Sequence, residues 1–313
     1  MGVVGYTPAA AAESDVRGDA RPLRLIVPFA PGGASDVLGR IIAQHLSEAL
    51  KRQVVVDNRA GAGGNIGMGI AAKGSPDGSI ISIASSAFVV NPSLYDSVPY
   101  DAVRDFAPVT NVAAASTVLV AHPSIPAKTV KELVALVRSA PGKYNYASSG
   151  AGTGQHLAGE LFNSMAKLDL AHIPFNGAGP AVIAMIGAQV PLGFASLPAV
   201  RSQIASGALR PIAVTTLKRA AAIPDVPTFD ESGYPGFEVD FWQGVVMPAG
   251  TPRVIVDQMN AEIVRMLQSP EVRKRLDGLG FEPVGSSPAQ FAQQIAAELA
   301  KWNKFIKQAG IKL

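Results

Sequence analysis

Twice in this chain a short apolar run breaks into a glycine-rich loop and then into a helical pattern. The first instance is Pro28-Phe29-Ala30-Pro31-Gly32-Gly33-Ala34-Ser35-Asp36, which follows the apolar run from Leu23. The second is Ser148-Ser149-Gly150-Ala151-Gly152-Thr153-Gly154-Gln155-His156, which follows Tyr144 to Ala147. A strand that passes through a tight glycine loop into a helix is the repeating step of an open α/β sheet, and ligands of such sheets lie beyond the carboxyl ends of the strands. Two such loops in two lobes can face one another across a cleft.

The rest of the chain fits that frame. Residues 37–50 carry Val37, Leu38, Ile41, Ile42, Leu46 and Leu50 at helical spacing, with Ser35 or Asp36 as the expected cap. Strands are expected at 54–57 and 80–84, and a short helix at 66–72. After Pro123 the alternation resumes, with helices at 129–139, 156–166, 180–186 and 199–205 and strands at 144–148, 172–174, 190–194 and 209–215. The C-terminal part reads as helices at 252–268, 270–278 and 288–309, the last with Phe291, Ile295, Leu299, Trp302 and Ile306 on one face. Alternation of this kind predicts mainly parallel sheets flanked by helices.

The loops suit anions. A helix N-terminus offers unpaired amides and the positive end of its dipole, and glycine lets a ligand come close to the backbone. Gly32 and Gly33 meet this description, as do Gly150, Gly152 and Gly154 around Thr153, with the Ser148, Ser149 and Thr153 hydroxyls as further donors. Asp36 is an awkward neighbour for an anion and reads as a helix cap turned away from the cleft. Neither loop matches the dinucleotide or P-loop fingerprint, and no P-loop lysine is present, so an NTPase is not expected.

Catalytic and metal constellations are thin. The chain has four histidines and no cysteine, which removes disulfides, thiol catalysis and cysteine-held metals. His45 lies on an apolar helix stripe, His122 precedes Pro123, and His172 opens a strand. His156 alone stands beside a candidate loop, where it reads as a donor that organises the loop; a hydrolase or transferase using His156 with Ser149 or Thr153 is the competing enzyme reading. His156 and Glu160 share a helix face, but no third metal ligand is evident. No cofactor is expected. A net charge of +3 with basic residues spread along the chain gives no nucleic-acid footprint. The small residues Ala9 to Ala12 read as the tail of a signal peptide whose basic start is missing, or as an ordinary flexible N-terminus, and residues 13–22 are expected to be poorly ordered.

Several separated segments together carry a resemblance. They are Arg21-Pro22 and Val27 to Gly33 with Asp36; Asn58 to Gly67; Asn91 to Tyr95; Ser149 to Thr153 with His156 and Glu160; Gly179-Pro180-Ala181; Pro224 to Thr228; Gly233 to Glu238; Pro248 to Pro252; and Trp302. From about Pro22 to Ile311 the chain resembles the substrate-binding proteins of tripartite tricarboxylate transporters, the Bug family. The resemblance implies an α/β, two-lobed Venus-flytrap fold of the periplasmic-binding-protein type and a non-enzymatic role: capture of a small carboxylate for membrane permease subunits, in the periplasm. A carboxylate-sensing partner protein is the alternative. The chain would cross twice between lobes. Proline-rich breaks then divide it into a residual N-terminal segment 1–20, a discontinuous first lobe of 21–121 plus 225–313, and a second lobe of 122–224.

Carried over by position, the first-lobe ligand contacts would be Phe29, Ala30, Gly32 and Gly33, with Ser85 and Ser86. The second-lobe contacts would be Ser149, Gly150, Gly152, Thr153 and His156. Three positions depart from the family pattern: Ala87-Phe88 where a Thr-His pair is common, Phe175-Asn176-Gly177 where Tyr-Lys-Gly is common, and Ala195-Ser196 where an acidic residue is common. Asn176 joins the candidate set from the second of these. All three would make the cleft rim less charged, which favours a ligand with an apolar or aromatic body over a tricarboxylate.

Overall fold

The structure, a computed structural model, describes residues 21–239, 241–309 and 311. The expected signal remnant at 1–20 lies outside the described residues. The chain first builds β1 (Leu23–Val27), α1 (Ala34–Leu50), β2 (Val54–Asn58), α2 (Asn65–Ala72), β3 (Ile80–Ser85), α3 (Ala87–Leu94) and β4 (Phe106–Ala115). It continues with β5 (Thr117–Ala121), α4 (Val130–Ser139), β6 (Asn145–Ser148), α5 (Gly154–Ala166), β7 (Ala171–Pro174), α6 (Ala178–Ile186), β8 (Leu192–Ser196), α7 (Leu197–Ala205) and β9 (Arg210–Val214). It closes with β10 (Phe241–Pro248), α8 (Arg253–Gln268), α9 (Pro270–Leu279), β11 (Phe281–Pro283) and α10 (Pro288–Ala309).

These strands form two sheets, ordered β11-β4-β10-β3-β1-β2 and β7-β6-β8-β5-β9. The first sheet is covered on both faces. Leu23, Leu25, Val27, Ile81 and Ile83 pack against Leu38, Ile41 and Ile42 of α1 and Met259 and Ile263 of α8. Ile26, Trp242 and Val246 face Met68, Phe88 and the Phe291, Ile295, Trp302 and Ile306 stripe of α10, the same stripe that the spacing predicts. Double coverage is why β1 reads as an apolar run broken only by Arg24 rather than as an alternating one.

The sheets are mixed rather than mainly parallel. β1 pairs in parallel with β2 and β3, and β6 with β7 and β8. By contrast, β10 runs antiparallel to β3 and β4, and β5 antiparallel to β8 and β9. The antiparallel halves belong to the strands that carry the chain between sheets. Only Ser116 separates β4 of the first sheet from β5 of the second, so β5, which the expected boundary at 121/122 assigns to the first lobe, pairs in the second sheet. The segment after Pro224 also stays with the second sheet. The Phe229 amide donates to the Val214 carbonyl (3.0 Å), and the Phe229 ring packs on Phe162 and Phe194 at 5.1 and 6.0 Å between centroids.

Two local expectations are corrected. Gly33, not Ser35 or Asp36, is the N-cap of α1. Phe88 does not sit on the cleft rim; it is buried in α3 against Tyr100 and Phe106.

Candidate ligand-binding cleft

The parallel strands of both sheets end at a common cleft, and the helices that follow them begin there. Its walls are Phe29, Gly33, Ala34, Ser35, Ser85, Ser86, Ser149, Thr153, Gln155, Ala178, Ser196 and Phe241, around ≈ 330 Å3 of empty space. Gly33, Ser86, Thr153 and Ser196 are the N-caps of α1, α3, α5 and α7, and Ala178 is the first residue of α6. Each helix start brings amides without an intrahelical partner and a fraction of a positive charge. None of the described lining residues carries a charge. The polar complement is six hydroxyls and the Gln155 amide; the apolar complement is two phenyl rings and two alanines.

The first loop is shaped by Asp36. Its carboxylate accepts the Gly32 amide (3.0 Å), Asn58 Nδ2 (3.0 Å) and Arg40 Nε (3.0 Å), and Asn58 Nδ2 also donates to the Phe29 carbonyl (3.0 Å). Burial pushes the Asp36 pKa up, but the hydrogen bonds from Arg40, Gly32 and Asn58 outweigh it and hold the carboxyl below its usual range. Asp36 is therefore the keystone of the loop, not a cap. The Gly32 amide is spent on it, and Gly32 serves through its φ of 88°, which a side chain would strain.

The second loop is shaped by its own hydroxyls and two histidines. Thr153 Oγ1 donates to the Gly150 carbonyl (2.7 Å), and Ser149 Oγ donates to Gln155 Oε1 (2.9 Å). His156 Nδ1 accepts the Gly152 amide (3.1 Å), which places the proton of the neutral ring on Nε2, 3.9 Å from Glu160 Oε1. The ring stacks on His172 at 4.1 Å, and His172 Nε2 lies 2.6 Å from Ser148 Oγ. Burial pushes the His156 pKa down to about 4; burial and the neighbouring His156 push His172 down to about 3. His156 does organise its loop, but as an acceptor rather than a donor.

The two lobes touch at the rim. The Ala30 amide donates to the Asn176 carbonyl (3.2 Å), and Tyr95 Oη donates to the Ala151 carbonyl (3.3 Å). A Cβ on Gly152 would lie 1.9 Å from Asn91 Oδ1, and one on Gly63 2.2 Å from the Ala151 carbonyl. Glycine at these positions lets the Asn91 side chain approach the backbone of one loop and the Ala151 carbonyl approach that of the other.

Of the sequence-derived candidates, Phe29, Gly33, Ser85, Ser86, Ser149 and Thr153 line the cleft. Ala30, Gly32, Gly150, Gly152, His156 and Asn176 stand behind it, in loop-internal or lobe-to-lobe contacts. Sequence reasoning missed Ala34, Ser35, Gln155, Ala178, Ser196 and Phe241. The helix starts at Ala178 and Ser196 follow strands by the same rule as the glycine loops and could have been found by it; Phe241 lies on a strand whose pattern gave no signal.

Two α/β lobes that turn their helix N-termini into a shared cleft define a solute-binding protein of the two-lobed periplasmic type. A family model described as the tripartite tricarboxylate transporter family receptor matches residues 38–311. Protein BugT of Bordetella pertussis is 38% identical over 296 residues, covering 94% of this chain and 91% of its own. The solved periplasmic binding protein BugD superposes with a TM-score of 0.90 at 34% identity, covering 93% of this chain and 98% of its own. The R. palustris protein Rpa4515, solved with adipate, gives a TM-score of 0.90 at 35% identity with the same coverage of each chain. The chain belongs to the tripartite tricarboxylate transporter receptor family.

Proposed function

We propose that this protein captures a small carboxylate with an apolar body in the cleft and hands it unchanged to the permease subunits of a tripartite-type transporter, from the periplasm. The observation that carries this reading is a cleft ringed by five helix N-termini and six hydroxyls, with no charged side chain among its described lining residues. A carboxylate fits such a wall, because the dipoles and hydroxyls offset its charge with no cation required. Phe29 and Phe241 supply apolar surface for the remainder of the molecule. Adipate, bound by Rpa4515, is a dicarboxylate with an aliphatic body. A non-catalytic role is supported by the commitment of His156 Nδ1 to the Gly152 amide and of the Thr153 hydroxyl to the Gly150 carbonyl. In this reading the lobes divide at Ser116 and between Val239 and Phe241, and the lining residues are the ligand contacts.

The test is a thermal-shift and calorimetric screen with adipate, malate, citrate, isocaproate and benzoate, each beside its methyl ester. Free acids at about 100 times Kd add about 2.7 kcal/mol of stability, and the esters do not. Equal binding of acids and esters, or turnover of either, overturns the proposal.

A further inference from the structure

Strand β10, which brings Phe241 to the cleft, also holds a side chain that the fold leaves without a partner. Gln243 is fully buried in the middle of β10, yet neither Nε2 nor Oε1 of its carboxamide has a hydrogen-bond partner. A buried amide in that condition costs stability that an apolar residue of similar size would not. Such a group in a native fold calls for an explanation.

Its position supplies one. Gln243 lies directly opposite Ser85 in the β3–β10 ladder, so the two side chains leave the same face of the sheet. Phe241, two residues earlier on β10, leaves that face as well. Ser85 and Phe241 both line the cleft. The face is the one covered by α1, whose first turn forms a cleft wall. Next to Ser85, the Ser86 hydroxyl is also buried and also without a partner. Ser85 ends β3 and Ser86 caps the helix that follows, so two orphaned polar side chains, Gln243 and Ser86, flank Ser85 of the cleft wall, while the Ser149 and Thr153 hydroxyls are already engaged within their own loop.

We infer that Gln243 is a specificity-determining residue whose carboxamide makes one donated and one accepted hydrogen bond to the ligand. This selects a carboxylate that also bears a neutral group able to donate and accept, a carboxamide or a hydroxyl, over one with a hydrocarbon end. The inference rests on the carboxylate reading of the cleft. An amide brings polarity without charge, which matches a lining that has no cation among its described residues for a second ionised group. It also explains why the strand tolerates an unsatisfied amide: the partner arrives with the ligand, and stability is given up for selectivity.

The experiment compares succinamate with isocaproate, which has the same carboxylate and chain but two methyls in place of the amide. Both are titrated calorimetrically into the full chain and into Gln243→Leu, with Gln243→Met as a second variant in case Leu does not fold. Wild-type protein is expected to bind succinamate at least tenfold more tightly than isocaproate. In Gln243→Leu the ratio falls to about twofold or less through weaker succinamate binding, and the ligand-free variant melts at or above the wild-type temperature. A wild-type ratio near one, a ratio that survives substitution, or ligand-free variants that both melt several degrees lower overturns the inference and leaves the carboxylate reading standing. Binding of neither acid by folded wild-type protein removes the carboxylate reading and the inference with it.

Discussion

His156 and His172 are both displaced far below the ordinary histidine range, and the displacement has a stability consequence. Both are neutral in the fold, with pKa values of about 4 and about 3, while an unfolded histidine titrates near 6.5. Below pH 6.5 the unfolded chain therefore binds more protons than the folded one, so the stability these rings contribute is complete above that pH and is lost as the pH falls toward 4. Each ring adds a slope of about 1.4 kcal/mol per pH unit over that window. Urea titrations at pH 7.0, 5.5 and 4.5 are expected to show the loss, and His172→Phe, which keeps a stacking ring, is expected to flatten it. A wild-type curve that is flat through this window would contradict the geometry. The sequence places His156 beside the loop correctly but cannot show its partner. His172 stands sixteen positions away and reaches it because β6 and β7 pair in parallel, with Tyr146 opposite His172. Asp36 is a similar case: helical periodicity makes a cap the natural reading, whereas its actual partners, Gly32 and Asn58, are brought together by the β1–β2 ladder.

At the scale of elements, what was legible and what was not divide along a physical line. Strands followed by glycine loops and helices announce themselves through turn chemistry and the change of hydrophobic period. β4 and β10 do not. β10 is buried along its whole length and β4 over most of it, so neither alternates, and β4 carries Pro108 at a register shift in its ladder with β10. Phe241 and Gln243 were missed for that reason. The element that was legible, the helix N-terminus, also predicts how binding responds to salt. Amides and hydroxyls in a closed cleft are screened far less than exposed cations. Raising NaCl from about 50 to about 500 mM is therefore expected to change the Kd for a carboxylate by less than about threefold. A steep loss, measured by calorimetry, would mean that an exposed Lys or Arg outside this lining holds the ligand.

For the whole molecule, the deciding contacts are those in which one lobe meets the other, and glycine governs them. The Gly61–Gly64 turn and Asn91 of the first sheet's side abut the Ala151–Gly152 turn of the second. Gly152 combines a φ of 78° with a Cβ position 1.9 Å from Asn91 Oδ1. A side chain there has two separable effects. The left-handed backbone costs about 1–2 kcal/mol wherever the lobes are, but the overlap with Asn91 exists only when they are together. Gly152→Val is thus expected to keep a cooperative unfolding transition, reduced by no more than about 3 kcal/mol once crowding within its own loop is included. The same variant is expected to lose at least about a hundredfold in carboxylate affinity, because binding must now also hold a blocked interface shut. Small-angle scattering separates this from simple unfolding: saturating ligand compacts wild-type protein and leaves Gly152→Val extended. Ligand-induced compaction of the variant with near-normal affinity would show that the Asn91–Gly152 contact does not govern closure. If it does govern closure, Asn91→Ala in the same chain relieves the overlap and restores part of the affinity, a coupling that two independent sites would not show.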